Sequence, residues 1–153
     1  MIYYFPAFQI CTSMLLVAMI SVSFPVRAFA EGIGEGRPSV AKYVKAYKGG
    51  EGISVWTTRF GTPDEHKALI QFGGADNDYD MKILLADVEK TGKDSRYSIN
   101  HNGQKFVIFI VSDGTGLLYF PNSTESVSVG YSENASNEAN SEHFLTDYLE
   151  QRE

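Results

Sequence analysis

Between Ile53 and Tyr131 the chain is a succession of short runs rich in β-branched and aromatic residues, each bounded by Gly, Pro, Asn, Asp or Ser. This alternation of strand-like runs and turn residues limits the fold more than any other feature. The runs are Ile53–Phe60, Lys67–Phe72, Met81–Glu89, Ser95–Asn100, Lys105–Val111, Leu117–Phe120 and Ser126–Tyr131. Their connections are too short for crossover helices, so neighbouring runs must pair antiparallel. The strongest hairpin signal lies at Asn100-His101-Asn102-Gly103, where Asn102-Gly103 accepts the positive φ angles of a two-residue turn. The arm that follows, Phe106 to Val111, is apolar on both faces, and this predicts a central strand.

Helices are expected at both ends of this β region. Pro38 stands where a helix can begin, Val40, Tyr43, Val44 and Tyr47 follow at helical spacing, and Gly49-Gly50 would end it. Near the C-terminus Phe144, Leu145, Tyr148 and Leu149 form one apolar stripe, with Glu142, Asp147 and Glu150 on the other side. The segment 132–141 has no apolar periodicity and reads as a mobile polar loop. The expected class is therefore α+β and mainly β: an antiparallel sheet or small sandwich with a short N-terminal helix and a C-terminal amphipathic helix.

The first 30 residues are of a different kind. Met14 to Phe24 has the length of a signal-peptide apolar core, and Ala28-Phe29-Ala30 supplies the small-x-small pattern of a cleavage site before Glu31. Met1 to Ser13 contains no Lys or Arg, and a start at Met14 would remove that stretch. Pro25 and Arg27 end the run short of the ~20 residues a spanning helix needs, which predicts export without stable membrane insertion. The chain then divides into a signal peptide at 1–30 and one globular domain at 31–153. The lone Cys11 leaves with the signal, so the mature domain has no disulfide although it enters an oxidising compartment, for which a periplasm is the preferred reading. Of the charged residues only Arg27 lies in 1–30, so 31–153 carries 12 Lys and Arg against 19 Asp and Glu. An acidic domain of this kind repels nucleic acid.

Few motifs carry chemistry. Ser39-Val40-Ala41-Lys42, Lys90-Thr91-Gly92 and Ser98-Ile99-Asn100 match three short elements of serine acylases, but the last two stand in reversed order, and the domain is too small for that fold. Asp76, Asp78 and Asp80 alternate as at the start of a calcium loop, and Asp87 falls at the twelfth position. Met81 replaces the required glycine, so a solvated turn is the preferred reading. His66, His101 and His143 are far apart and lack a partner at metal spacing. The sequence thus points to a non-enzymatic protein without cofactor or metal.

Two loops remain as partner-binding candidates. Gly73 to Asp80 presents Asp76, Asp78 and Asp80; Ser112-Asp113-Gly114-Thr115-Gly116 has glycines that permit a protruding turn, though the same residues make an ordinary hairpin. In size, export and composition, the chain carrying these loops resembles the small periplasmic immunity proteins that neutralise cell-wall-degrading toxins of type VI secretion systems. The resemblance implies occlusion of a secreted hydrolase toxin, with Ser112, Asp113, Gly114 and Thr115 as the plug and the three aspartates steering association. The alternative is a periplasmic small-ligand or cell-envelope binding module, whose aromatic-rich sheet encloses a pocket. A lysozyme or protease inhibitor, differing from immunity only in the origin of its target, is the third reading.

Overall fold

The computed structural model describes residues 36–152; the expected signal peptide and all of the leader before Gly36 lie outside the described residues. Eight antiparallel strands close into a barrel: β1 (Lys45–Gly49), β2 (Ser54–Phe60), β3 (Lys67–Gly73), β4 (Ile83–Lys90), β5 (Ser95–His101), β6 (Gln104–Ser112), β7 (Thr115–Tyr119) and β8 (Ser126–Tyr131). Two helices follow, α1 (Glu133–Glu138) and α2 (Ser141–Glu150). Each strand pairs with the next, and β8 returns to β1 through Tyr47–Tyr131, Lys48–Gly130 and Gly49–Val129. The mainly β, antiparallel expectation holds, whereas the open sheet or sandwich is replaced by a closed barrel without edges.

The N-terminal helix is absent, and its residues build β1 together with a bridge from Val40 to Phe60. The reason lies in double coverage. Tyr47 faces the barrel interior, while Ala46 on the opposite face lies under α1, so apolar residues occur on both sides and strict alternation is lost. What remains mimics helical spacing.

The segment 132–141 is likewise not a loop along its length, since it contains α1. Ser132 caps α1 by accepting the Ala135 N–H, and the Ala46 N–H donates to Ser136 Oγ at 2.8 Å. The small residues Ala135 and Ser136, both buried, let this short helix approach the β1 backbone.

Inward positions are filled with side chains, as expected for an eight-stranded barrel of this size. Phe72, Ile70, Val55, Ile108, Phe109 and Leu118 are fully buried there. Outward positions carry ion pairs such as Lys67–Asp87 and Lys105–Glu89. A bulge in β6 explains its doubly apolar sequence. Tyr97 pairs with Phe109 and Ser98 with Val107, so Ile108 is an extra residue, and both Ile108 and Phe109 are wholly buried. The strand is apolar on both faces because its phase flips, and a closed barrel has no central strand.

A second apolar cluster lies outside the barrel, where Phe144, Leu145 and Tyr148 of α2 cover Leu69 and Ile83. The C-terminal helix is thus found where its stripe predicts. Asn140 caps it by accepting the Glu142 and His143 N–H groups, and Gln151 clasps the Ile83 backbone in both directions at 2.9 and 3.0 Å.

Candidate functional site

The up-and-down connections sort the loops into two groups. The β2–β3, β4–β5 and β6–β7 loops stand at one end of the barrel, and the β1–β2, β3–β4, β5–β6 and β7–β8 loops at the other. At the first end the barrel opens into a mouth of about 260 Å³. Its floor is made by Thr57, Ala68, Val88 and Tyr97, all at inward-facing register positions. Continuing the same inward phase one step further toward solvent gives Lys45 on β1, Arg59 on β2 and Lys90 on β4, with His66 just before β3.

Among the described residues no carboxylate lines this mouth, although the chain carries 19 Asp and Glu. Among the described residues Lys45, Arg59 and Lys90 form no ion pair within 4.0 Å, whereas Lys67 at the rim is paired with Asp87 at 2.9 Å. Glu65, in the β2–β3 loop, is spent on its own turn. It accepts the backbone N–H and the hydroxyl of Thr62, bonds that hold its carboxyl below the usual range. Gly61 makes that arrangement possible, since φ is +72° there and a Cβ would collide with the Glu65 carboxylate.

Beneath the mouth lies a tyrosine group. Tyr47 packs edge-on against Phe109 and Tyr131 with centroids 5.3 and 5.8 Å apart, and Tyr97 is tilted against Phe109 at 5.7 Å. Burial first, and then the neighbouring Tyr97 and Tyr131 hydroxyls, push the Tyr47 pKa up to about 12. Burial also raises that of Tyr97, against an opposing hydrogen bond with Thr57.

An alkaline titration follows from these shifts. Below pH 10 Tyr47 is protonated in both folded and unfolded chains; between about 10 and 12 only the unfolded chain releases the proton, so stability falls as pH rises. Discounted for solvent screening near the mouth, the expected loss from Tyr47 is about 1–2 kcal/mol, and Tyr47→Phe should remove that portion of the fall. Urea unfolding at pH 9 and pH 11.5 measures it. Equal pH dependence in the two proteins would contradict the assignment.

The sequence-derived candidates are placed at opposite ends. Asp76, Asp78 and Asp80 lie in the β3–β4 loop, away from the mouth, and Ser112 to Thr115 lie in the β6–β7 turn on the mouth side. They cannot together form one face of a plug. Asp80 Oδ1 accepts the Ala75 N–H at 2.9 Å and closes its own loop, while Asp76 and Asp78 are exposed. Among the described residues no group of three or more His, Cys, Asp or Glu is placed to hold a metal ion.

The β6–β7 connection is a two-residue hairpin whose residues Ser112 to Thr115 are all exposed. Asp113 and Gly114 take φ of +48° and +79°, Ser112 and Thr115 pair across them, and the Tyr131 N–H donates to the Gly114 carbonyl at 2.8 Å. Ser112 Oγ also donates to the Lys93 carbonyl at 3.0 Å. At the far end the Tyr79 hydroxyl and His101 Nδ1 share a hydrogen bond of 2.6 Å, fastening the aspartate loop to the β5–β6 hairpin.

The mouth residues were legible only as a phase. Lys45-x-Tyr47, Thr57-x-Arg59 and Val88-x-Lys90 each place a cation in step with inward-facing residues at a strand end, the signal that identifies them once closure is known. Comparison with protein-family models, with curated proteins and with solved structures finds no match.

Proposed function

We propose that the protein is an exported, non-enzymatic binding barrel of the periplasm that holds a small ligand or cell-envelope component in its mouth. The observation that carries this reading is the open, carboxylate-free mouth at one end of the closed barrel; the larger concavity at the other end, about 790 Å³, includes Glu51 and Asp76 in its lining. A concave site on a rigid sheet scaffold, floored by a few hydroxyl and apolar groups, is the ordinary geometry of small-molecule recognition. Export is supported by Ala28-Phe29-Ala30 at the end of the apolar run from Met14 to Phe24.

Toxin immunity, the first expectation from the sequence, is the second reading. Exposed Asp76 and Asp78 favour it, because unshielded carboxylates steer association with a basic protein. The β6–β7 turn, exposed and pinned to β8, is the strand-turn that this reading would insert into a toxin's cleft.

Thermal unfolding separates the two. A mouth ligand at a hundred times its Kd should add about 2.7 kcal/mol of stability. That gain should disappear in Ser95→Trp, which fills the rim, and persist in the double variant Asp76→Asn, Asp78→Asn. Stabilisation by envelope metabolites that is lost in Ser95→Trp supports the ligand module. Absence of any such gain, together with stoichiometric capture of a secreted hydrolase that weakens in the double aspartate variant, would replace it with immunity.

A further inference from the structure

We infer that the mouth takes a small organic anion, its carboxylate or phosphate group held by Lys45, Arg59 and Lys90 and its apolar body resting over Ala68 and Val88. This inference rests on reading the mouth as a ligand site and adds the chemical class. Three cations stand at one opening, on β1, β2 and β4, which follow one another around the wall with β3 between the last two. Like charges gathered without counterions destabilise a fold unless an anion offsets them; Glu65 is engaged by Thr62, Asp87 by Lys67 and Glu89 by Lys105, and Asp64, beside the rim in the β2–β3 loop, does not line the mouth. The floor below offers the Thr57 and Tyr97 hydroxyls beside apolar Ala68 and Val88, a setting for a ligand with a polar head and an apolar body.

Size and field exclude a polyanion. The mouth holds about 260 Å³, below the ~300–1,000 Å³ of drug-sized pockets, so the ligand is small. The domain as a whole carries an excess of acids, 19 Asp and Glu against 12 Lys and Arg in 31–153. A small anion inside a Debye length of roughly 8 Å meets the local cations, whereas a nucleic acid or anionic bilayer meets the whole acidic surface.

The test is a nitrogen-edited NMR titration of the purified protein with phenyl phosphate, benzoate, inorganic phosphate and benzyl alcohol. Phenyl phosphate and benzoate should move the Thr57, Ala68, Val88 and Tyr97 amides saturably. Binding should weaken when sodium chloride is raised and should be roughly tenfold or more weaker in the combined variant Lys45→Gln, Arg59→Gln, Lys90→Gln. The spectrum away from the mouth reports whether that variant is folded, and each single variant provides the same reading with a smaller effect. Benzyl alcohol binding as tightly as benzoate would overturn the anionic class and leave the mouth as a ligand site. Inorganic phosphate binding as tightly as phenyl phosphate would remove the apolar body from the inference. No saturable change at the mouth with any of the four would overturn both the inference and the reading on which it rests.

Discussion

Phe109→Ala is expected to cost about 3–5 kcal/mol of unfolding free energy, and to lower the melting temperature by roughly 12–20 °C. Phe109 has no exposed surface, and it follows the bulge residue Ile108, so its ring fills the lumen where β6 changes phase. It supports Tyr47 and Tyr97 on either side, and Gly116 on β7 lacks a side chain at the place the ring occupies: a Cβ there would lie 2.9 Å from Val129 Cγ2 and within the ring edge itself. No neighbour is shaped to fill the space when the ring is removed, so the cavity persists. Phe109→Leu keeps much of the volume and should cost clearly less. Urea unfolding with unchanged dependence on denaturant measures the difference. A loss below 1 kcal/mol would mean that the lumen is loosely packed around the bulge. It would also remove the rigid support on which the floor of the mouth depends.

The strands from Ser54 onward could be read locally because each is a run of β-forming residues that ends in residues that turn the chain; Asn102 and Gly103 take φ of +52° and +79°, the hairpin geometry their identities favour. Closure could not. It depends on Tyr47 meeting Tyr131 across most of the domain, and no residue near either position encodes that distant pairing. β1 was hidden because its outer face is apolar only where α1 covers it, and the mouth because its cations stand on three separate strands, β1, β2 and β4, whose registers place them at one end. Loops attracted attention in the sequence because their residues are polar and glycine-rich. In the folded chain Asp80 is occupied in holding its own turn and Gly114 in a bond to β8, while Lys45, Arg59 and Lys90, at strand ends, form no ion pair among the described residues. A sequence reading that follows charge in phase with the lumen, rather than charge in loops, would have reached the mouth.

Leu145→Asp is expected to abolish the cooperative fold or to cost more than about 4 kcal/mol, a large share of the 5–15 kcal/mol typical of a domain. Leu145 is wholly buried on the inner face of α2, in the apolar cluster with Leu69 and Ile83. A carboxylate there is cut off from water, and the helix relieves it by leaving the barrel wall. Leaving exposes Leu69 and Ile83 and breaks the Gln151 clasp on β4 and the Arg37 bonds to Glu142 and Thr146. Leu145→Ala, which creates a cavity without a charge, should cost about 2–5 kcal/mol and provides the graded comparison. Hydrogen exchange separates the two ways the aspartate variant could fail. If α2 is part of the cooperative unit, amides of β3 and β4 lose protection together with those of the helix. If only helix amides exchange while the strands keep their protection, the barrel stands alone, α2 is an outer cover, and the mouth should retain its ligand in a chain whose C-terminal helix has come away.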